Sequence, residues 1–121
     1  MRGGALNAEV NSLYQRGRFE EAIPLARRGL RLTEAKVGPE HPDVALSLNN
    51  LAGLYNKQAR FAEAEPLYKR SLAIREKAFG PEHPEVALSL NNLASLYGKQ
   101  GRYSEAEPLH KRSLEIKEHD L

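Results

Sequence analysis

The chain has 121 residues, 40% of them hydrophobic, with 18 Lys and Arg against 16 Asp and Glu, which fits one compact domain or a short stack of units and excludes a large multidomain enzyme. It contains no cysteine, so a disulfide framework, a thiolate zinc site and a cysteine nucleophile are all excluded. The charges alternate along the chain, so the net charge of +2 describes a mixed solvated surface and no footprint for nucleic acid.

No apolar run approaches the roughly 18 residues that a membrane span needs. The start Met1-Arg2-Gly3-Gly4 has no apolar stretch behind it that could serve as a signal sequence. A cytoplasmic chain with no membrane partner is the expectation.

Sliding the sequence against itself by 42 positions lays residues 43–79 on 85–121 with 25 identities in 37. The same shift lays residues 1–42 on 43–84 with 16 identities in 42, concentrated in Arg18-Phe19, Glu21-Ala22, Pro24-Leu25 and Gly38-Pro39-Glu40-His41-Pro42. The chain is therefore read as one domain over 1–121 made of three copies, at about 5–37, 43–79 and 85–121. A period of this length means a solenoid, in which each unit buries its apolar face only against its neighbours.

Copy one is the divergent one. Its first helix carries Val10 and Leu13, and because Tyr14 stands five residues before Phe19, where Tyr55 and Tyr97 stand six before Phe61 and Tyr103, its turn is expected to be one residue shorter. In copy two the apolar stripe Ala45, Leu48, Leu51, Ala52, Tyr55 predicts a helix with one buried face, leaving Ser47, Asn49, Asn50, Asn56 and Lys57 off it. The turn Gln58-Ala59-Arg60 leads to a second stripe, Phe61, Ala64, Leu67, Tyr68, Ser71 and Leu72, with Glu65 and Lys69 placed to pair across one helical turn.

Gly80-Pro81-Glu82-His83-Pro84 ends that helix, the glycine permitting a left-handed cap and Pro84 opening the next helix where a missing N–H costs nothing. Copy three repeats the pattern, with Gln100-Gly101-Arg102 as its turn and Glu107 and Lys111 as its pair. Pro24, Pro66 and Pro108 fall inside the second helices, where a proline costs about 3 kcal/mol. Their matched places near the helix starts predict continuous helices with one missing bond and a slight bend.

The small residues Ala52 and Ala64, twelve apart with Tyr55 between them, recur as Ala94, Ala106 and Tyr97. This signature resembles the tetratricopeptide repeat (TPR). The 42-residue period, Leu-Asn-Asn-Leu-Ala at 48–52 and 90–94, and the Gly-Pro-Glu-His-Pro linkers resemble in particular the repeats of kinesin light chain and its relatives. The resemblance implies an all-α fold, a right-handed α-solenoid of three helix-turn-helix units, with no enzymatic activity and no cofactor. It further implies a concave face, lined by the first helices, that holds a peptide or partner segment.

Carried over by position, the peptide-binding candidates are Asn49, Gly53, Asn56 and Lys57, with Asn91, Ser95, Gly98 and Lys99 as their equivalents. An asparagine amide both donates and accepts, so it pairs with the backbone of any extended peptide, and the lysines attract acidic residues. Asn50 and Asn92 serve equally well as solvating groups, and Lys57, Arg60, Lys99 and Arg102 as a solvated rim.

Other chemistries fit poorly. His41 and His83 lie one repeat apart in identical linkers, which points to capping or packing at a helix junction, and no histidine pair has metal-ligand spacing. Ser71 and Ser113 sit on the core stripe as small packing residues, and no glycine-rich phosphate loop follows a strand. At the other end, Leu114, Ile116 and Leu121 belong to a helix with no capping helix after it, so the chain is expected to be part of a longer array or to self-associate through its C-terminal repeat. Similar arrays are attached to nucleotide-binding signalling proteins, which makes a sensor or assembly segment the second functional expectation.

Overall fold

The computed structural model describes residues 3–119. Within them run six α-helices and no strand: α1 (Gly3–Gln15), α2 (Phe19–Val37), α3 (Pro42–Lys57), α4 (Phe61–Phe79), α5 (Pro84–Lys99) and α6 (Tyr103–His119). They form three antiparallel hairpins, α1/α2, α3/α4 and α5/α6, and each hairpin packs on the next through α2 with α3 and α4 with α5. This is the all-α solenoid that the repeat implied.

The linker histidines start the inner helices. His41 and His83 are the N-cap residues of α3 and α5, and each ring Nδ1 accepts from the backbone N–H two residues on, Asp43 at 3.0 Å and Glu85 at 3.1 Å. Pro42 and Pro84 occupy the first helical position, where the fixed φ of proline is preorganised and no hydrogen bond is lost. Glycines end the preceding helices at φ 93° and ψ 160° (Gly38) and φ 88° and ψ 164° (Gly80). The positive φ agrees with expectation, but ψ is extended, a glycine-only combination, so the chain leaves the helix straight into the linker. Pro24, Pro66 and Pro108 lie inside continuous helices.

All three turns have one geometry. Arg18 N donates to Leu13 O, Arg60 N to Tyr55 O and Arg102 N to Tyr97 O, at 2.9, 2.8 and 2.9 Å. The first turn is therefore no shorter than the others: Leu13 takes the place of the tyrosine, and Tyr14 the place of Asn56 and Gly98.

One apolar core passes through all three hairpins, from Val10 and Ala22 through Ala52, Tyr55 and Ala64 to Ala94, Tyr97 and Ala106. Two smaller clusters, around Leu48 and Leu90, sit nearer the linkers. Leu48, Leu54, Leu90 and Leu96 are completely buried, each stabilising the fold by roughly 1.5–3 kcal/mol. Ala52 and Ala64 are also at 0% exposure; their lack of side-chain bulk sets how closely α3 and α4 approach.

Two further sequence expectations are corrected. Ser47, expected off the buried face, is 4% exposed, and its equivalent Ser89 is buried as well. Glu65 and Lys69 pair at 2.9 Å, but Glu107 and Lys111 do not figure among the ion pairs of the described residues. Leu114 and Ile116 lie in the last helix as expected, Leu114 exposed at 57% and Ile116 buried at 3%, while Leu121 lies outside the described residues. Ser71 and Ser113 are small buried residues as expected, and each also donates to a backbone carbonyl of its paired helix, Ala45 at 2.9 Å and Ala87 at 3.0 Å.

Register between hairpins is marked by a repeated contact of the outer helices. Arg70 reaches Glu34 at 3.4 Å and the Pro39 carbonyl at 3.1 Å, and Arg112 reaches Glu76 at 2.8 Å and the Pro81 carbonyl at 3.2 Å. These half-exposed pairs each contribute about 0–1 kcal/mol; their effect is mainly positional.

Candidate functional site

The inner helices α1, α3 and α5 line one side of the stack, and a cleft of ≈ 290 Å³ runs across them. Its walls carry Asn49, Asn50 and Gly53 of α3 and Asn92 of α5, with Tyr14 at the α1 end. Leu46 and Leu88, one repeat apart, also face it, each 49% exposed.

The floor comes from α4, whose Tyr68 and Arg75 reach between the inner helices. They are seven residues apart, hence on one face and about 10 Å apart along the axis. Burial pushes the Tyr68 phenol above its ordinary pKa, opposed by a hydrogen bond with Asn56. Burial also lowers the Arg75 guanidinium, which donates to Ser89 Oγ at 2.9 Å and lies 3.4 Å from Glu85.

The eight sequence candidates divide. Asn49 and Gly53 line the cleft. Asn49 Oδ1 is buried and has no hydrogen-bond partner, so an incoming donor reaches it only when the side chain turns toward the cleft. A Cβ at Gly53 would stand 3.7 Å from the Tyr68 hydroxyl, so that glycine keeps the floor open. Asn56 Oδ1 accepts from Lys99 Nζ at 3.3 Å, linking α3 to α5, and Lys57 Nζ lies 5.9 Å from the centre of the Tyr14 ring.

Asn91 Oδ1 is 3.2 Å from His110 Nδ1 of its own hairpin and is thus already engaged. Ser95 is exposed, and Gly98 has open space around it. Sequence reasoning missed Tyr14, because it placed the first turn one residue off, and missed Leu46 and Leu88, although a leucine recurring off the core stripe at the repeat interval was a readable signal. In the sequence Tyr68 reads only as part of the core stripe, and no motif marks Arg75.

The arrangement offers hydrogen-bond acceptors and donors at repeat intervals beside apolar side chains. Among the described residues no cluster of three or more metal-ligating side chains occurs, and no helix is long and apolar enough to cross a membrane.

Stacked helical hairpins with a grooved inner face define a class of repeat scaffold. The tetratricopeptide repeat family model matches residues 4–77 and again 43–119, and the chain belongs to that family.

Among solved structures, BtubC (BKLC) from P. vanneervenii is similar at TM-score 0.90 and 26% identity over 97% of this chain and 46% of its own. A kinesin light chain of Podosopora anserina with nearly identical TPR-like repeats is similar at TM-score 0.85 and 28% identity, over 97% of this chain and 56% of its own. This chain thus spans about half the length of these relatives. The N-terminal domain of stress-induced protein-1 from C. elegans, 21% identical at TM-score 0.70 over 94% of this chain and 85% of its own, shares the fold. No curated protein matches. The repeats are kinesin light chain-like, and the TPR fold mediates protein–protein interaction.

Proposed function

We propose that this chain is a protein-interaction module that holds an extended segment of a partner protein along the inner face, across α1, α3 and α5. The observation that carries this function is the unpartnered, buried Asn49 Oδ1 in a cleft that also exposes Leu46 and Leu88. Turning of the Asn49 side chain offers its oxygen to a peptide N–H, and apolar side chains of the peptide cover the two leucines, removing them from water at about 25 cal/mol per Å². Asn50 and Asn92 add donors and acceptors one repeat apart, and Lys57 and Lys99 form the rim.

The three hairpins act as one domain of a larger protein, a division supported by the half-length match to the relatives. Screening a peptide array and measuring the best binder by calorimetry tests the function. Gly53→Trp, which fills the cleft, should abolish binding, and Asn49→Ala should weaken it by about five- to tenfold, both with unchanged helical circular dichroism. Full affinity in both variants would move the binding site off the inner face.

A further inference from the structure

We propose that the outer side of the solenoid carries a second docking surface, at the junction of the first two hairpins, fitted to an acidic amphipathic helix of a partner protein. A cleft of ≈ 510 Å³ lies between α2 and α4. Leu51 and Tyr55 of α3 form its floor, and Leu30 and Leu67 stand on its walls. Arg27 and Arg31 overhang it; both are exposed, and neither forms an ion pair among the described residues.

The repeat itself makes this cleft distinctive. One period on, Arg27 corresponds to Lys69, which Glu65 holds at 2.9 Å, and Arg31 corresponds to Ala73. Two periods on, the same positions are Lys111 and Glu115. Arg28, next to Arg27 in sequence, corresponds to Arg70 and Arg112, which bind glutamates of the preceding hairpin. Among the described residues, only at the first junction do two guanidinium groups outside any ion pair stand over an apolar cleft.

An anion arriving there displaces no existing pair. Glu63 on the opposite wall is already held by Arg60 at 2.7 Å, and that hydrogen bond keeps its carboxyl below the ordinary range, with a smaller contribution from Arg27. Arg27 and Arg31 are four residues apart, about 6 Å along the axis of α2, and Leu51 and Tyr55 repeat at the same interval on α3. A helix bearing carboxylates at i and i+4 beside an apolar stripe presents both features at that period. Leu51 and Tyr55 are themselves almost fully buried, and the half-buried Leu30 and Leu67 are the apolar surface a partner covers; a polyanion without apolar groups would leave these walls in water, so nucleic acid fits less well.

The surface is independent of the inner groove, and its test separates the two. The probe is a fluorescein-labelled helical peptide of about 15 residues with leucines on one stripe and glutamates at i and i+4 beside it, compared by anisotropy with the same peptide carrying glutamine. The glutamate peptide should bind at least about tenfold more tightly than its glutamine counterpart, and less tightly as salt rises. Arg27→Glu with Arg31→Glu should remove that difference. Ala62→Trp, which fills the cleft without changing charge, should block binding, whereas Asn49→Ala with Gly53→Trp in the inner groove should leave it intact.

Arg16→Glu with Arg28→Glu, which alters the same charge away from the cleft, should change affinity less than about threefold. Equal loss in that variant, full binding by Ala62→Trp, or loss in the inner-groove variant would overturn the proposal. So would sedimentation showing that the unliganded chain self-associates and that Arg31→Glu abolishes this, because the occupant would then be a second copy.

Discussion

Arg102 Nη1 lies 2.7 Å from Glu65 Oε1, tying the last hairpin turn to the second turn of α4 across the junction between repeats. The same carboxylate accepts from Lys69 at 2.9 Å and from the Tyr97 hydroxyl at 3.3 Å, and the Arg102 guanidinium stacks on the Tyr97 ring 4.3 Å from its centre. In the first junction Ile23 occupies the position of Glu65, so this network belongs to the second junction alone.

The network makes stability depend on acid. Hydrogen bonds from Lys69 and then from Arg102 hold the Glu65 carboxyl below its ordinary value of 4.5. A depressed folded-state value stabilises the fold above the unfolded-state value and loses that contribution as pH falls through the folded one. Glu65→Gln should therefore lower the urea midpoint near pH 7 and show a shallower decline than the parent below about pH 4.5. Parallel declines for the two proteins would assign the acid sensitivity to other carboxylates.

Arg75 is 3% exposed yet charged, with Ser89 and Glu85 as its partners. Removing Ser89 Oγ while keeping the charge should cost about 1–3 kcal/mol in Ser89→Ala. Arg75→Met with Ser89→Ala, which removes both partners and keeps the buried stem, should lie within about 1 kcal/mol of the parent or above it. Chemical denaturation of the two variants ranks them, and a larger loss in the double variant than in Ser89→Ala would show that the buried charge itself stabilises the junction.

Ala59 adopts φ 58° in the turn where Gly17 and Gly101 adopt 74°. A residue with a Cβ is strained in this left-handed region by about 1 kcal/mol or more. Ala59→Gly should raise the melting temperature, by a net amount below about 1 kcal/mol because glycine also gains freedom in the unfolded chain. Differential scanning calorimetry gives the answer directly.

Ala64 is fully buried against α3. Ala64→Leu forces the paired helices apart and should cost about 1–3 kcal/mol, compared with less than about 0.5 kcal/mol for the exposed Lys111→Ala. Superimposable melting curves for the two variants would remove Ala64 from the helix contact.

The fold was legible because its signals are local and repeated. The 42-residue period, the stripes through Leu48 and Ala64, and the proline after each linker histidine all constrain backbone within a few residues. Tyr14 is a false register mark, because the turn depends on the backbone carbonyl five residues before the arginine and Leu13 supplies it as well as a tyrosine does. The site was legible only in part. Spacing could place Asn49 and Asn91 on equivalent turns, but not that His110 engages Asn91 while the corresponding Tyr68 leaves Asn49 Oδ1 unpaired. That difference arises on the opposing helix, beyond the reach of a single stripe.

Each helix finds its main packing partners among those adjacent in the chain. Little loop-closure entropy is then spent in forming any contact, so folding should be fast and able to begin at any hairpin. Inserting a further copy of residues 43–84 should lengthen the ladder, adding another inner helix to the groove without disturbing the ones already there.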